Sequence, residues 1–137
     1  MGLKDRKLVN LHGIEGTLSP HQEQIDRALI AKKVALEYVA DVSKLAEFIG
    51  GKVEFLELGE DWAVSKEIFP GIEVFFIYNR ADEELPSSLR VLYSGDRIKM
   101  MNGEDLAGIT IFYFNHILRY VRETNPGKKL PEVCYLV

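Results

Sequence analysis

The chain has 137 residues, 47% of them apolar and 10% aromatic, enough for one core and too few for a second sizeable domain. A formal charge of −4 and a pI near 5.4 speak against a nucleic-acid-binding surface, which carries a basic excess. The single cysteine, Cys134, excludes an intrachain disulfide framework and a multi-cysteine metal site, and a free thiol points to a reducing, cytoplasmic compartment.

Residues 1–18 read as an N-terminal arm, punctuated by Gly13 and Gly16 and able to pack through Leu8, Leu11, Ile14 and Leu18. Its opening lacks the apolar run of a signal peptide, and no window of the chain reaches bilayer-spanning length, so no membrane partner is expected. Residues 19–137 then read as a single α+β domain.

That domain opens on a helix. Ser19 suits the N-cap, Pro20 the first helical position, and Gln22 the spacing of a capping box. Ile25, Ala28, Leu29, Ala35, Leu36 and Val39 share one helical stripe, with Lys32 in its middle. Val42, Leu45, Ala46 and Ile49 fall about a quarter turn away, which a straight helix cannot bury on the same surface. The shift predicts a kink or restart near Ala40–Ser43, with Asp41 or Ser43 as a second N-cap and Gly50-Gly51 as the stop.

The middle of the chain reads as strands. Lys52–Leu58 alternates imperfectly, and Trp62–Ile68 runs into Pro70-Gly71, a type II turn pair. Ile72–Tyr78 is apolar on both faces apart from Glu73, which predicts a central strand. Leu89–Tyr93 and Arg97–Met101 follow, and the short connections favour an antiparallel meander of four or five strands. Only the loop 79–88 is long enough to leave the strand order open.

Asn102 suits the cap of a last helix whose first turn carries Glu104 and Asp105. Its core stripe, Leu106, Ile109, Thr110, Tyr113, Ile117, Tyr120 and Val121, is widened by Ile111, Phe114 and Leu118. Such a helix asks for cover on two sides, from the sheet and from the first helix or a partner subunit. Asn125-Pro126-Gly127 stops it, and Leu130–Val137 has the composition of a strand that would pair with a sheet edge or an exchanged neighbour.

Seven residues are candidates for a ligand- or partner-binding site. Asp82, Glu83 and Glu84 sit together on a constrained loop, where carboxylates can hold a hard cation or a basic partner, or serve a solvated turn. Their spacing lacks the alternate ligands and glycine relief of a divalent-ion loop, and no metal is assigned. His116, at the border of the last helix's apolar stripe, is either a general base or a helix-edge histidine with a local hydrogen bond. Trp62 and Phe112 are large aromatics in ambiguous surroundings. Phe112 projects toward the polar side near Arg119, as protein contacts often do, or lies under the arm.

Other signatures are missing. Ser87 and Ser88 lack a glycine elbow, and Gly50-Gly51-Lys52 lacks the spacing of a phosphate loop. No cofactor is assigned. Lys32 either reaches an internal carboxylate or a ligand cavity, or lays its stem along the core with its ammonium in water.

Residues 69–118 resemble an uncharacterised family found in anaerobic bacteria and archaea. The resemblance lies in Phe69-Pro70-Gly71, the strand ending at Tyr78, Asp82-Glu83-Glu84-Leu85-Pro86, Leu89–Tyr93 and Glu104-Asp105-Leu106-Ala107. Where that family carries aspartates before its Glu-x-Pro turn, this chain has Ala81-Asp82. The resemblance implies a domain type and a habitat, and no mechanism.

With no convergent acid, base and nucleophile, the residues point to a small binding or accessory module that acts through protein or small-ligand contact without catalysis. The apolar last helix and strand-like tail lead to the expectation of a homo-oligomer or a protein partner. The alternative is a small enzyme or metal-dependent catalyst using the loop Asp82–Glu84 with His116.

Overall fold

A computed structural model of the protein describes residues 7–137; the first six residues of the arm lie outside the described residues. From Val9 onward the arm is tied to the rest. Val9 donates to the Tyr93 carbonyl at 2.9 Å and accepts from the Tyr93 N–H at 2.7 Å, a single antiparallel bridge. Helix α1 (Leu11–Glu15) follows, capped by Asn10, with Leu11 fully buried.

Helix α2 (Pro20–Ile30) starts where expected, the Ser19 hydroxyl accepting from the His21 N–H. Gln22 does not close a capping box. Its Oε1 accepts the Leu11 N–H at 2.8 Å and its Nε2 donates to Asp26, so it joins α1 to α2 instead.

The helical path breaks at Ala31, before the expected kink, and a 3₁₀ stretch, Lys33–Tyr38, comes next. The break relieves the conflict at Lys32. Off the α-helical path, Ala35, Leu36 and Val39 still reach the core, while Lys32 Nζ meets Asn115 Oδ1 at 2.9 Å and Lys33 Nζ meets the Ser87 carbonyl at 2.7 Å. Burial lowers the Lys32 pKa. Helix α3 (Val42–Ile49) restarts on Asp41, whose Oδ1 accepts the Lys44 N–H, and ends on Gly50 at φ 72°, a left-handed cap that glycine takes without strain.

Strands β1 (Lys52–Glu54), β2 (Trp62–Phe69), β3 (Ile72–Asn79) and β4 (Ser88–Ser94) form one antiparallel sheet in the order β1-β2-β3-β4. The 79–88 loop is thus a hairpin connection, and β3 is interior. β1 stops at Glu54 although the strand pattern ran to Leu58. The Glu60 carboxylate captures the N–H groups of Leu56 and Leu58 at 2.6 and 2.8 Å, curling the segment away from ladder pairing.

Two further strand expectations fail, each for a hydrogen-bonding reason. Arg97–Met101 is not a strand; Ile98–Met100 forms a 3₁₀ turn, because the Arg97 N–H is held by the Gly71 carbonyl on the β2–β3 turn. Leu130–Val137 is not a strand either. It contains a 3₁₀ turn, Glu132–Tyr135, folded back on the last helix, where Arg122 donates to the carbonyls of Cys134 and Val137.

That last helix, α4 (Gly103–Thr124), lies against α2, α3 and the inner face of the sheet. The inner face is built in cross-strand rows: Trp62, Tyr78 and Leu89; Val64, Phe76 and Val91; Val74 and Tyr93. Phe114 of α4 meets Phe76 with ring centroids 5.9 Å apart. The outer face keeps a smaller apolar cluster, Leu56, Ala63, Phe75 and Ile77, with Leu8 and Leu92 against it.

Candidate functional site

Past the row Trp62–Tyr78–Leu89, β3 pairs once more, Asn79 with Ser88, and between these two residues the chain leaves the sheet as a loop. Between this loop and the 3₁₀ stretch carrying Lys33 lies an open cleft of about 680 Å³, walled by Lys33, Asp61, Arg80, Asp82, Ser87 and Ser88. Its walls are fixed by their own hydrogen bonds. Asp82 Oδ1 accepts the N–H groups of Glu84 and Leu85 at 2.8 and 2.7 Å, which hold its carboxyl below the ordinary aspartate range and shape the turn. Asp61 Oδ2 accepts the Arg80 N–H at 2.6 Å, and Lys33 clamps the Ser87 carbonyl. The Arg80 guanidinium has no hydrogen-bond or ion-pair partner among the described residues.

Behind this wall stands an anomaly. Tyr78 is fully buried, and its hydroxyl has no hydrogen-bond partner. The hydroxyl of Ser87, itself buried, is its polar neighbour but does not reach bonding geometry; Glu37, Arg80 and Asp61 act on it through their charges. Burial pushes the phenol's pKa up, so it stays a neutral donor. Leaving such a group unpaired costs about 1–3 kcal/mol.

Of the seven candidates, the structure brings Asp82 to the cleft wall and sets Trp62 behind it. Trp62 is buried, with its ring 5.2 Å from that of Tyr78. Glu83 and Glu84 are exposed on the same loop and do not line the cleft. The other three lie elsewhere, on α4. His116 stacks on Phe48 of α3 at 4.7 Å and lines no part of the cleft, so the acidic loop and this histidine do not converge. Phe112 is 60% exposed, edge-on to Tyr113, and Arg119 is half-buried on the same helix. Among the described residues no group of three or more His, Cys, Asp and Glu is placed to hold a metal ion. No described helix is long and apolar enough to cross a membrane.

Sequence reasoning missed Lys33, Asp61 and Arg80 as wall residues, and it noted of Ser87 only that it lacks a glycine elbow. It also missed a polar cluster at the start of α4. Glu15 Oε2 accepts the Gly103 N–H at 3.0 Å, while Glu15 Oε1 accepts from Ser19 Oγ at 2.8 Å and His21 Nδ1 at 2.7 Å. A carboxylate only accepts, so Nδ1 of His21 carries the proton. The His21 and Ser19 bonds hold the Glu15 carboxyl below the ordinary glutamate range. The cluster is a structural pin: a carboxylate on the positive end of a 22-residue helix.

No curated protein and no solved structure matches the chain. A family model does, over residues 5–115, and its span takes in most of the arm, α1 to α3, the whole sheet, the cleft and the first half of α4. The chain therefore belongs to the family described as a domain of unknown function, DUF3786.

Proposed function

We propose that this protein is a small binding module whose site is the cleft between the 79–88 loop and Lys33. One observation carries the reading: the cleft is walled by polar groups from three separate segments, each locked by its own backbone hydrogen bond before any ligand arrives. Preorganised walls of this kind reduce the ordering cost of binding. Binding without catalysis is favoured because the wall's two carboxylates, Asp61 and Asp82, already accept backbone N–H groups, and Lys33 is engaged by the Ser87 carbonyl.

The test is an amide-resolved NMR screen of the whole chain against a library of small polar compounds. Hits that perturb residues 79–88 and Lys33 together support the reading. A screen whose hits all map elsewhere, or that yields none, ends it.

A second reading, contact with another protein chain, is favoured by Phe112, which keeps 60% of its surface exposed on α4. Light scattering at low micromolar concentration tests a second copy as that chain. A dimer in the wild type that is lost in Phe112→Ala supports it, and a monomeric wild type removes it.

A further inference from the structure

We propose that the protein carries a second binding site, at the other end of the sheet, which takes a small zwitterion of the amino-acid type with an apolar side chain. The 79–88 loop follows the end of β3, and this site lies beside its start, at Glu73, roughly 20 Å away along an extended strand. There the arm with α1, the start of β3 and the turn 94–99 surround a cavity of about 470 Å³, within the range of about 300–1,000 Å³ usual for small-molecule sites. Its walls are held in place without a ligand. The Val9–Tyr93 bridge ties the arm to β4, and Gly13 of α1 packs so closely on Val9 that an added Cβ would stand 3.2 Å from that of Val9. Gly95, at φ 130°, lies against the Gly71 carbonyl, where a side chain would collide, and the Arg97 N–H donates to the same carbonyl at 3.2 Å.

The chemistry of the ligand follows from four charges on the wall, Lys7, Glu73, Asp96 and Lys99. Among the described residues none of these four side chains makes a hydrogen bond or an ion pair. Glu73 is the most exacting of them. It is half-buried, and its direct cross-strand partner on β2 is Glu67, a like-charge pair that costs stability. A ligand ammonium at Glu73 relieves that pair. A cation alone is a poor fit, because Lys7 and Lys99 line the same space and repel it; a lone anion meets Glu73 and Asp96 in the same way. Two lysines and two carboxylates suit a molecule with one charge of each sign, its carboxylate taking charge-assisted bonds from the lysines. The rest of the argument is apolar. Val9, Ile14 and Ile98 are each half-buried and line the cavity, which favours a hydrocarbon side chain.

L-Leucine, 3-methylbutylamine and 4-methylpentanoate share one hydrocarbon body and carry both charges, the cation alone and the anion alone. Each is titrated at neutral pH into the whole chain, following the amide NMR signals of Ser94, Gly95, Asp96 and Lys99. Leucine is expected to give saturable shifts there in the millimolar range. The two singly charged analogues are expected to bind about ten-fold more weakly, the loss of one charge-assisted contact. Glu73→Gln and Lys99→Gln each weaken leucine by about the same factor, while Lys129→Gln, an exposed lysine of the C-terminal tail, leaves its binding unchanged. Without ligand, Glu73→Gln raises the melting temperature, since the like-charge pair is relieved; a fall shows that Glu73 has a structural partner and overturns the proposal. Saturation by either analogue as tight as that by leucine also overturns it. Leucine shifts confined to residues 79–88 and Lys33 overturn it while supporting the cleft. No saturation by any probe overturns it as well, and the library screen above then decides the cleft separately.

Discussion

Gly103 has no side chain because Glu15 occupies the space where one would sit. A Cβ built at Gly103 collides with the Glu15 carboxylate, which accepts the Gly103 N–H at the start of α4. Gly103→Ala therefore forces the carboxylate to swing out and give up that bond. An anion at a helix N-terminus contributes about 0.3–1 kcal/mol at the surface, and charge-assisted bonds add to it. The Glu15 side chain is 26% exposed, so screening keeps the whole to roughly 1–1.5 kcal/mol. Glu15→Ala should cost that much, a fall in melting temperature of about 3–6 °C for a chain of this size. Gly103→Ala should cost about 1 kcal/mol in the wild type and nothing in the Glu15→Ala background, where alanine is the better helix former. Urea unfolding of the four proteins, followed by Trp62 fluorescence, measures the cycle. The pH dependence has a defined sign. Because the Glu15 pKa is lowered on folding, its contribution is complete above the unfolded glutamate value of about 4.3 and disappears as pH falls through the lower folded value. The gap between wild type and Glu15→Ala should hold at pH 6 and close on further acidification. Additive costs of the two substitutions, or a gap independent of pH, would refute the pin.

The other predictions concern caps and the core. Asp41→Ala removes the acceptor of the Lys44 N–H at the start of α3 and should cost about 1 kcal/mol in urea unfolding. Thr110 donates its hydroxyl proton to the Leu106 carbonyl at 2.7 Å, so Tyr93 must be the donor in the Tyr93–Thr110 bond. Thr110→Val then strands a buried phenol and should cost about 1–3 kcal/mol, whereas Tyr93→Phe should cost about 1 kcal/mol; equal costs would reverse the assigned direction.

The fold was legible wherever one force acted alone along the chain. β3 declared itself central by being apolar on both faces, and it has a neighbour on each side. Asp41 and Asn102 declared their helices by residue type and position. The failures share a cause: a hydrogen bond that composition does not show outweighed the strand pattern, within a few residues at Glu60 and over longer separations at Gly71 and Arg122. Strand-like composition at Leu56–Leu58, Arg97–Met101 and Leu130–Val137 gave way to Glu60, to the Gly71 carbonyl and to Arg122 respectively. Gln22 matched a capping box in spacing and bonded Leu11 instead.

The cleft was half legible, for a related reason. Acidic density marked the 79–88 loop, yet the carboxylates there mostly hold the loop's shape or face solvent. The cationic part of the wall is brought in across the chain: Lys33 reaches Ser87 over a separation of 54 residues. Lys33 also depends on the break after Ile30, which follows from Lys32 sitting where a continuous helix would bury it. One misfit lysine thus unwinds the helix, and the unwound stretch supplies a cleft wall. A sequence that placed an apolar residue at position 32 would favour a longer helix and carry Lys33 away from Ser87, closing off the site at its origin.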